Sequence, residues 1–324
     1  MALLTPLPAA DATRLAAAHG LGAVTEVTPI AGGSVNSNFF LDMARPGGPS
    51  RVFLRVYEEQ DTDGVAFEWA LLKHLEDHGV PVPARLRGPR PGELRVAGKP
   101  VALFALAAGR PSCQGAVTAA RARAVGAFLG RAHRVTRSFG WRRRSRFEPA
   151  SLRTRIAAIR ARLARDPDPA VSAALPRLEA ELDRAAPSAL PGGVVHGDLF
   201  RDNVFFEGDA LVAAIDWESA ALGSYAYDVA VTLLAWCYGD DLDLGLVAAL
   251  LGGYAAVRRP SSLERHALEG ACRAAATRFA ITRITDFHFR RGSGQVQKAF
   301  QRFVDRLDAI DALPADALAD RWAP

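Results

Sequence analysis

The chain has 324 residues, 49% hydrophobic and 23% charged, a globular composition that excludes a disordered, collagen-like or disulfide-dense polypeptide. Its 40 basic and 35 acidic residues leave a formal charge of +5, and only Lys73, Lys99 and Lys298 among the basic residues are lysines. A phosphate-binding P-loop is excluded, because the nearest candidate, Gly98-Lys99-Pro100, has proline where the motif needs a hydroxyl.

Cys113, Cys237 and Cys272 are odd in number and widely spaced, which points to a reducing compartment rather than a disulfide frame or zinc knuckle. Residues 1–6 lack a basic region before their short apolar stretch, so no signal peptide is expected. The uncharged, apolar run Leu244–Val257 suits a buried helix better than a membrane span. A soluble cytoplasmic protein is expected.

In chain order, residues 23–30 and 34–43 are β-leaning runs around Ala31-Gly32-Gly33, a hairpin signal. Residues 51–57 alternate, with Val52, Leu54 and Val56 facing one way and Phe53, Arg55 and Tyr57 the other. A helix is expected over 62–78, stopped by Gly79, and strands over 93–96 and 100–106. The first hundred residues thus read as strand-rich with one helix. Beyond residue 107 the pattern turns helical, with helices expected over 116–136, 151–165, 170–185, 225–238, 242–257, 261–289 and 295–312. Ser261 and Glu264 form a capping box. One β-like island, 193–215, interrupts them. The reading is an α+β chain of two lobes, 1–106 with a small antiparallel sheet and 107–324 mostly helical, with a ligand cleft expected between them.

The island carries the chemistry. It contains His196-Gly197-Asp198-Leu199-Phe200-Arg201-Asp202-Asn203 and then Ile215-Asp216-Trp217-Glu218. Three oxygen-bearing side chains, Asp198, Asn203 and Asp216, are expected at one edge of a small sheet, where they would suit a hard cation such as Mg²⁺. The spacing D-x-x-x-x-N, followed 18 residues after Asp198 by another acid, is that of a kinase catalytic loop and its metal-binding acid. Asp198 would accept the proton of a substrate hydroxyl, while Asn203 and Asp216 would bind the metal. On the 62–78 helix, Glu68 falls within an apolar stripe and needs a buried partner, for which Arg55 is the natural choice. That pair would set Arg55 against the phosphates, and Gly32, Gly33 and Ser34 would close over them with backbone N–H groups.

Together these residues resemble the aminoglycoside phosphotransferase/choline kinase superfamily, which has a protein-kinase-like bilobal fold, over nearly the whole chain. The resemblance implies ATP and Mg²⁺ as cofactors, Asp198 as catalytic base and Asn203 and Asp216 as Mg²⁺ ligands. It implies Phe104, Ala105 and Leu106 as the adenine-binding hinge and Asp228, in Tyr227-Asp228-Val229-Ala230, with His196 as support of the catalytic loop. Arg55 stands where many members have lysine. Within the superfamily the chain looks most like bacterial homoserine kinases, on Gly32-Gly33-Ser34-Val35-Asn36-Ser37-Asn38-Phe39, the 196–203 loop, residues 227–238 and Arg278-Phe279 through Thr285-Asp286-Phe287. Arg201 in place of proline and Trp217-Glu218 depart from that group, and both lie beside the acceptor pocket. For homoserine, Glu218 and Asp202 are candidates for the ammonium and Arg201 for the carboxylate.

The expected activity is transfer of the ATP γ-phosphate to a small-molecule hydroxyl, with L-homoserine first. An aminoglycoside, choline or another amino alcohol is the alternative acceptor, and a catalytically silent nucleotide-binding module the alternative from another class. Residues 141–146, Trp-Arg-Arg-Arg-Ser-Arg, read as a solvated connection or rim of the cleft rather than a nucleic-acid surface. The partner expected is a small molecule, with no nucleic acid or membrane, and a monomer or homodimer.

Overall fold

The computed structural model describes residues 4–30, 35–44, 51–86, 88, 89, 92–184, 190–290 and 299–322. Over these residues the chain divides into two compact units. One comprises Met1–Gly109 with Val212–Glu218, the other Arg110–Leu211 with Ser219–Ser293 and Gln297–Pro324.

The first unit contains α1 (Ala9–Ala18), β1 (Ala23–Pro29), β2 (Ser37–Ala44), β3 (Arg51–Val56), α2 (Thr62–Asp77), β4 (Arg95–Val96) and β5 (Lys99–Ala105). The strands make an antiparallel sheet in the order β1-β2-β3-β5-β4. Alternation along β3 sends Val52, Leu54 and Val56 into a core shared with Leu15, Phe39, Leu41 and Leu103. Each such side chain, fully buried, stabilises the fold by about 1.5–3 kcal/mol. Arg55 on the opposite face is also buried, as is Tyr57 just beyond the strand. α2 starts where Asp61 accepts the Gly64 N–H at 2.8 Å, and ends at Gly79, whose φ of +70° suits glycine. It buries Val65, Glu68, Leu71, Leu72 and Leu75 on one stripe.

Among the described residues the unit has two helices rather than the single one expected. Ala12, Leu15 and Ala16 give α1 a buried face at helical spacing, an alanine-rich signal that strand-leaning neighbours masked. The hairpin tip expected at 31–33 lies outside the described residues, as do Gly32, Gly33 and Ser34. The flanking strands pair from Ala23↔Ala44 to Pro29↔Phe39.

The second unit contains β6 (Arg110–Pro111), α3 (Ala119–Thr136), α4 (Pro149–Leu163), α5 (Pro169–Asp183), β7 (Gly192–Val195), β8 (Val204–Glu207), the start of β9 (Ala210–Ala214) and β10 (Ala221–Ser224). It continues with α6 (Tyr225–Trp236), α7 (Leu244–Val257), α8 (Ser262–Arg283), α9 (Gln301–Asp311) and α10 (Ala317–Arg321). α3 and α7 touch through glycines. A Cβ on Gly126 would sit 1.9 Å from the Leu250 carbonyl oxygen, and one on Gly253 2.1 Å from that of Arg123. The Ser261–Glu264 capping box is present. β10, not foreseen in the island, pairs antiparallel with β7 from Ala221↔Val195 to Ser224↔Gly192.

The helix expected over 261–289 is α-helical only to Arg283, after which Ile284–His288 form a π-helical turn. Two long-range pairs hold that turn: Arg155 to Asp286 at 2.6 Å and His288 to Asp168 at 2.7 Å. The 141–146 stretch is used structurally. Arg143 Nε donates to the Ala220 carbonyl at 2.9 Å, its own carbonyl accepts from Leu222 N–H at 2.8 Å, and Arg144 pairs with Glu148. No helix among the described residues is long and apolar enough to cross a membrane.

Candidate active site

In the helical unit, β7 delivers the chain to His196, Gly197 and Asp198. Gly197 has φ of +74°, a conformation that side chains rarely adopt, so the turn requires glycine. Asp228, in the first turn of α6 and fully buried, gathers this turn. Its Oδ2 accepts the His196 N–H at 2.9 Å and a His133 Nε2 hydrogen bond at 2.9 Å, and its Oδ1 accepts the Gly197 N–H at 2.7 Å. Burial alone would raise the Asp228 pKa. The His133 hydrogen bond and charge, and the Gly197 N–H, outweigh it and hold the carboxyl below its usual range. Burial pushes His133 down, against the opposing pull of Asp228. On its other side His133 Nδ1 meets the Tyr254 hydroxyl at 2.8 Å.

Asp198 donates its backbone N–H to His196 Nδ1 at 3.2 Å, and its side chain is 29% exposed. Its carbonyl accepts from the Phe200 N–H at 2.8 Å and from Asn203 Nδ2 at 2.9 Å. Asn203 thereby spends its amide nitrogen on the loop, and Oδ1 remains the atom suited to a hard cation. Trp236 Nε1 fixes the loop from below through the Leu199 carbonyl at 3.0 Å. Arg278 donates to the Gly197 carbonyl at 2.7 Å and stands 3.9 Å from Asp198 Oδ1, its guanidinium held between the Phe147 and Phe279 rings at 3.8 and 4.0 Å. Arg201 donates to the Ala235 carbonyl at 2.5 Å, and Asp202 is exposed.

In the strand-rich unit, Arg55 faces three carboxylates. Its Nη1 lies 3.0 Å from Asp216 Oδ1, 3.8 Å from Glu68 Oε1 and 4.0 Å from Glu218 Oε2. Burial would weaken its proton affinity, but the three acids raise it, so the guanidinium stays charged. Asn36 donates to Glu218 Oε2, and Gln60 donates to the Glu218 backbone carbonyl at 3.1 Å. Burial and the Asp216 charge push the Glu218 pKa up to about 7. Asp216 adopts φ of +68°, a left-handed conformation that costs a non-glycine residue on the order of 1 kcal/mol, with Asp among the types that tolerate it best. Its Oδ1 makes no hydrogen bond within the described residues. Phe104 stacks on Trp69 with centroids 5.4 Å apart, Ala105 donates its N–H to the Ala84 carbonyl at 3.0 Å, and Leu106 is exposed beyond the strand end.

Each unit therefore carries oxygen donors of the kind a hard cation takes, an amide oxygen on Asn203 and a carboxylate on Asp216. Among the described residues no group of three His, Cys, Asp or Glu side chains is arranged to hold a metal alone. The roles of His133 and Asn36 were not foreseen. His133 lies 95 residues from its partner Asp228, and Asn36 lies 182 from Glu218, so no local spacing links them. A polar residue on the apolar face of α3 is the one signal His133 offered.

A strand-rich unit bearing a buried arginine–glutamate pair, and a helical unit bearing the H-G-D-x-x-x-x-N loop on an aspartate-anchored turn, define a phosphotransferase of the protein-kinase-like α+β class. The fold matches a solved amicoumacin kinase, hAmiN, in complex with AMP-PNP, Ca²⁺ and Ami, with a TM-score of 0.69 at 17% identity over 93% of both chains. Residues 26–260 match the phosphotransferase enzyme family, and the chain belongs to that family. It is 34% identical over 291 residues to a homoserine kinase of Methylobacterium radiotolerans, covering 89% of this chain and 88% of that protein. It is 35% identical over 300 residues to a homoserine kinase of Bradyrhizobium diazoefficiens, covering 89% and 87%. Kinase relatives of this kind imply ATP as phosphoryl donor and a small-molecule hydroxyl as acceptor.

Proposed function

We propose that this protein is a Mg²⁺-dependent homoserine kinase that transfers the γ-phosphoryl group of ATP to the side-chain hydroxyl of L-homoserine. The observation that carries the reading is similarity to homoserine kinases at 34–35% identity over 89% of the chain.

Asp198 is the base. As the homoserine oxygen bonds to the γ-phosphorus and the bond to ADP breaks, the hydroxyl proton passes to the Asp198 carboxylate. Such a group contributes roughly 10²–10⁴-fold. Its position is fixed by the Asp228-anchored turn and by Asn203, whose amide holds the Asp198 carbonyl. Asn203 and Asp216 are the Mg²⁺ ligands, and their oxygen donor chemistry supports that role. Mg²⁺ would supply neutralisation of phosphate charge. Arg55, kept charged by Glu68, Asp216 and Glu218, contacts the α- and β-phosphates. The 104–106 segment, Phe104, Ala105 and Leu106, meets adenine, and Gly32, Gly33 and Ser34 cover the phosphates. Asp202, exposed beside the loop, is the candidate for the acceptor ammonium. Glu218, also a candidate, is engaged by Asn36 and beside Arg55, which favours a role in ordering that cluster.

The test is ADP release against a panel of homoserine, serine, choline, ethanolamine and an aminoglycoside. Saturable turnover strongest with homoserine is expected. Saturable turnover on another acceptor with none on homoserine would overturn the assignment.

A further inference from the structure

Around the catalytic loop of the helical unit stands a group of arginines that the phosphoryl-transfer chemistry does not use. Arg283, the last residue of α8 before the π-helical turn, donates to the Ala299 carbonyl at 3.0 Å, and its guanidinium lies 4.4 Å from the centre of the Phe303 ring. Arg306, 3% exposed, lies 4.7 Å from the same ring centre and donates to the Leu234 carbonyl at 3.0 Å. Arg201 bonds the next carbonyl, that of Ala235. Two arginines thus share one aromatic ring, and two bond consecutive carbonyls at the end of α6.

No Asp or Glu among the described residues forms an ion pair with Arg201, Arg283, Arg302 or Arg306, and none of the residues outside the described set is acidic. Each guanidinium has five N–H donors, of which carbonyls take one on Arg201 and Arg283 and two on Arg306. Arg201 and Arg283 are half-buried, Arg306 is buried and Arg302 is exposed, and like charges so clustered repel one another. The repulsion shows in their proton affinities. Burial and Arg302 push Arg283 down to about 10, and burial, Arg302 and Arg283 push Arg306 down to about 9. Arg283 also feels Asp198 and Asp202, which places it within electrostatic reach of the proposed base.

We propose that Arg283, backed by Arg201 and the Phe303 ring, is the anion-recognition site for the α-carboxylate of the acceptor. The inference rests on the homoserine reading above and adds the group that tells an amino acid from an amino alcohol. A bound carboxylate supplies a directly paired counter-charge and takes bidentate hydrogen bonds from a guanidinium. Arg306, almost fully buried against Tyr238 and Phe303, is the support that keeps the field positive.

The test compares kcat/KM for homoserine with that for homoserinol, in which a neutral hydroxymethyl group replaces the carboxylate. It uses the full chain and its Arg283→Met, Arg283→Gln and Arg283→Lys variants, with thermal unfolding to establish folding. Arg283→Gln keeps a donor for the Ala299 carbonyl and guards against a misfolded Met variant. The homoserine-to-homoserinol ratio is expected to fall about 100-fold in the Met and Gln variants and to recover partly in Lys. An unchanged ratio in folded Gln protein overturns the inference. Wild-type turnover confined to acceptors without a carboxylate overturns it together with the homoserine reading. Turnover of a different hydroxy acid that still depends on Arg283 supports the anion site and overturns homoserine alone.

Discussion

Replacing Glu218 with glutamine isolates the electrostatics of the Arg55 cluster. Three carboxylates surround one guanidinium, and burial with the neighbouring Asp216 charge raises the Glu218 pKa to about 7. In the unfolded chain its pKa is near the ordinary 4.5. An acid whose pKa is higher in the folded state binds its proton more tightly there. Its contribution is fully present below pH 4.5 and is lost as pH rises through 7. The rise from 4.5 to about 7 corresponds to roughly 3 kcal/mol of stability lost by pH 8. Glutamine retains an oxygen for the Asn36 amide and cannot ionise, and the Gln60 bond to the backbone carbonyl is untouched. Urea denaturation between pH 4.5 and 8.5 should therefore give coincident stabilities for wild type and Glu218→Gln at the acid end. Toward pH 8 the variant should become more stable by about 2–3 kcal/mol. Parallel profiles across the range would refute the reasoning, because they would mean that Glu218 ionises as freely folded as unfolded.

Asp198→Asn should lower kcat by roughly 10²–10⁴-fold while leaving the ATP dissociation constant within a few-fold, measured by stopped assay and calorimetry. Loss of ATP binding with unchanged kcat would contradict the role of base. Asp228→Asn keeps one oxygen for the His196, Gly197 and His133 donors, so at least one buried donor is orphaned, at a cost of about 1–3 kcal/mol by denaturant unfolding. Asp228 and His133 are both held below their ordinary pKa, so wild type should lose stability as pH falls below about 6.5 for His133 and again below about 4 for Asp228. Gly126→Ala, which usually strengthens a helix, should here destabilise by about 1–3 kcal/mol, because its Cβ meets the backbone of α7 rather than a movable side chain. A wild-type or higher melting temperature for that variant would show that α3 and α7 can separate freely.

What the sequence disclosed follows the range of each interaction. The 51–57 alternation, α2 with its glycine stop, the Ser261–Glu264 cap and the β-island around His196 were legible because each is written within a few neighbouring residues. α1 was obscured because small alanines give a weak hydrophobic signal, although Ala12, Leu15 and Ala16 keep helical spacing. The π-helical turn escaped because an unbroken apolar rhythm runs through 261–289, and the distortion is held by Arg155 and Asp168 from other helices. β10 escaped because Ala221–Ser224 is short and its strand character comes from pairing with β7. At the site, the loop residues themselves could be named from their spacing. Their anchors, His133 under Asp228 and Asn36 on Glu218, come from distant stretches, and only the folded chain brings each to its partner.

The central claim is a specific chemical product, and phosphorus NMR of the complete reaction tests it most directly. With ATP, Mg²⁺ and L-homoserine, the account predicts a phosphomonoester resonance coupled to the side-chain methylene protons of homoserine, growing in step with ADP. ADP formed alongside inorganic phosphate alone, or a phosphate carried by some other acceptor while homoserine is left unchanged, would contradict it.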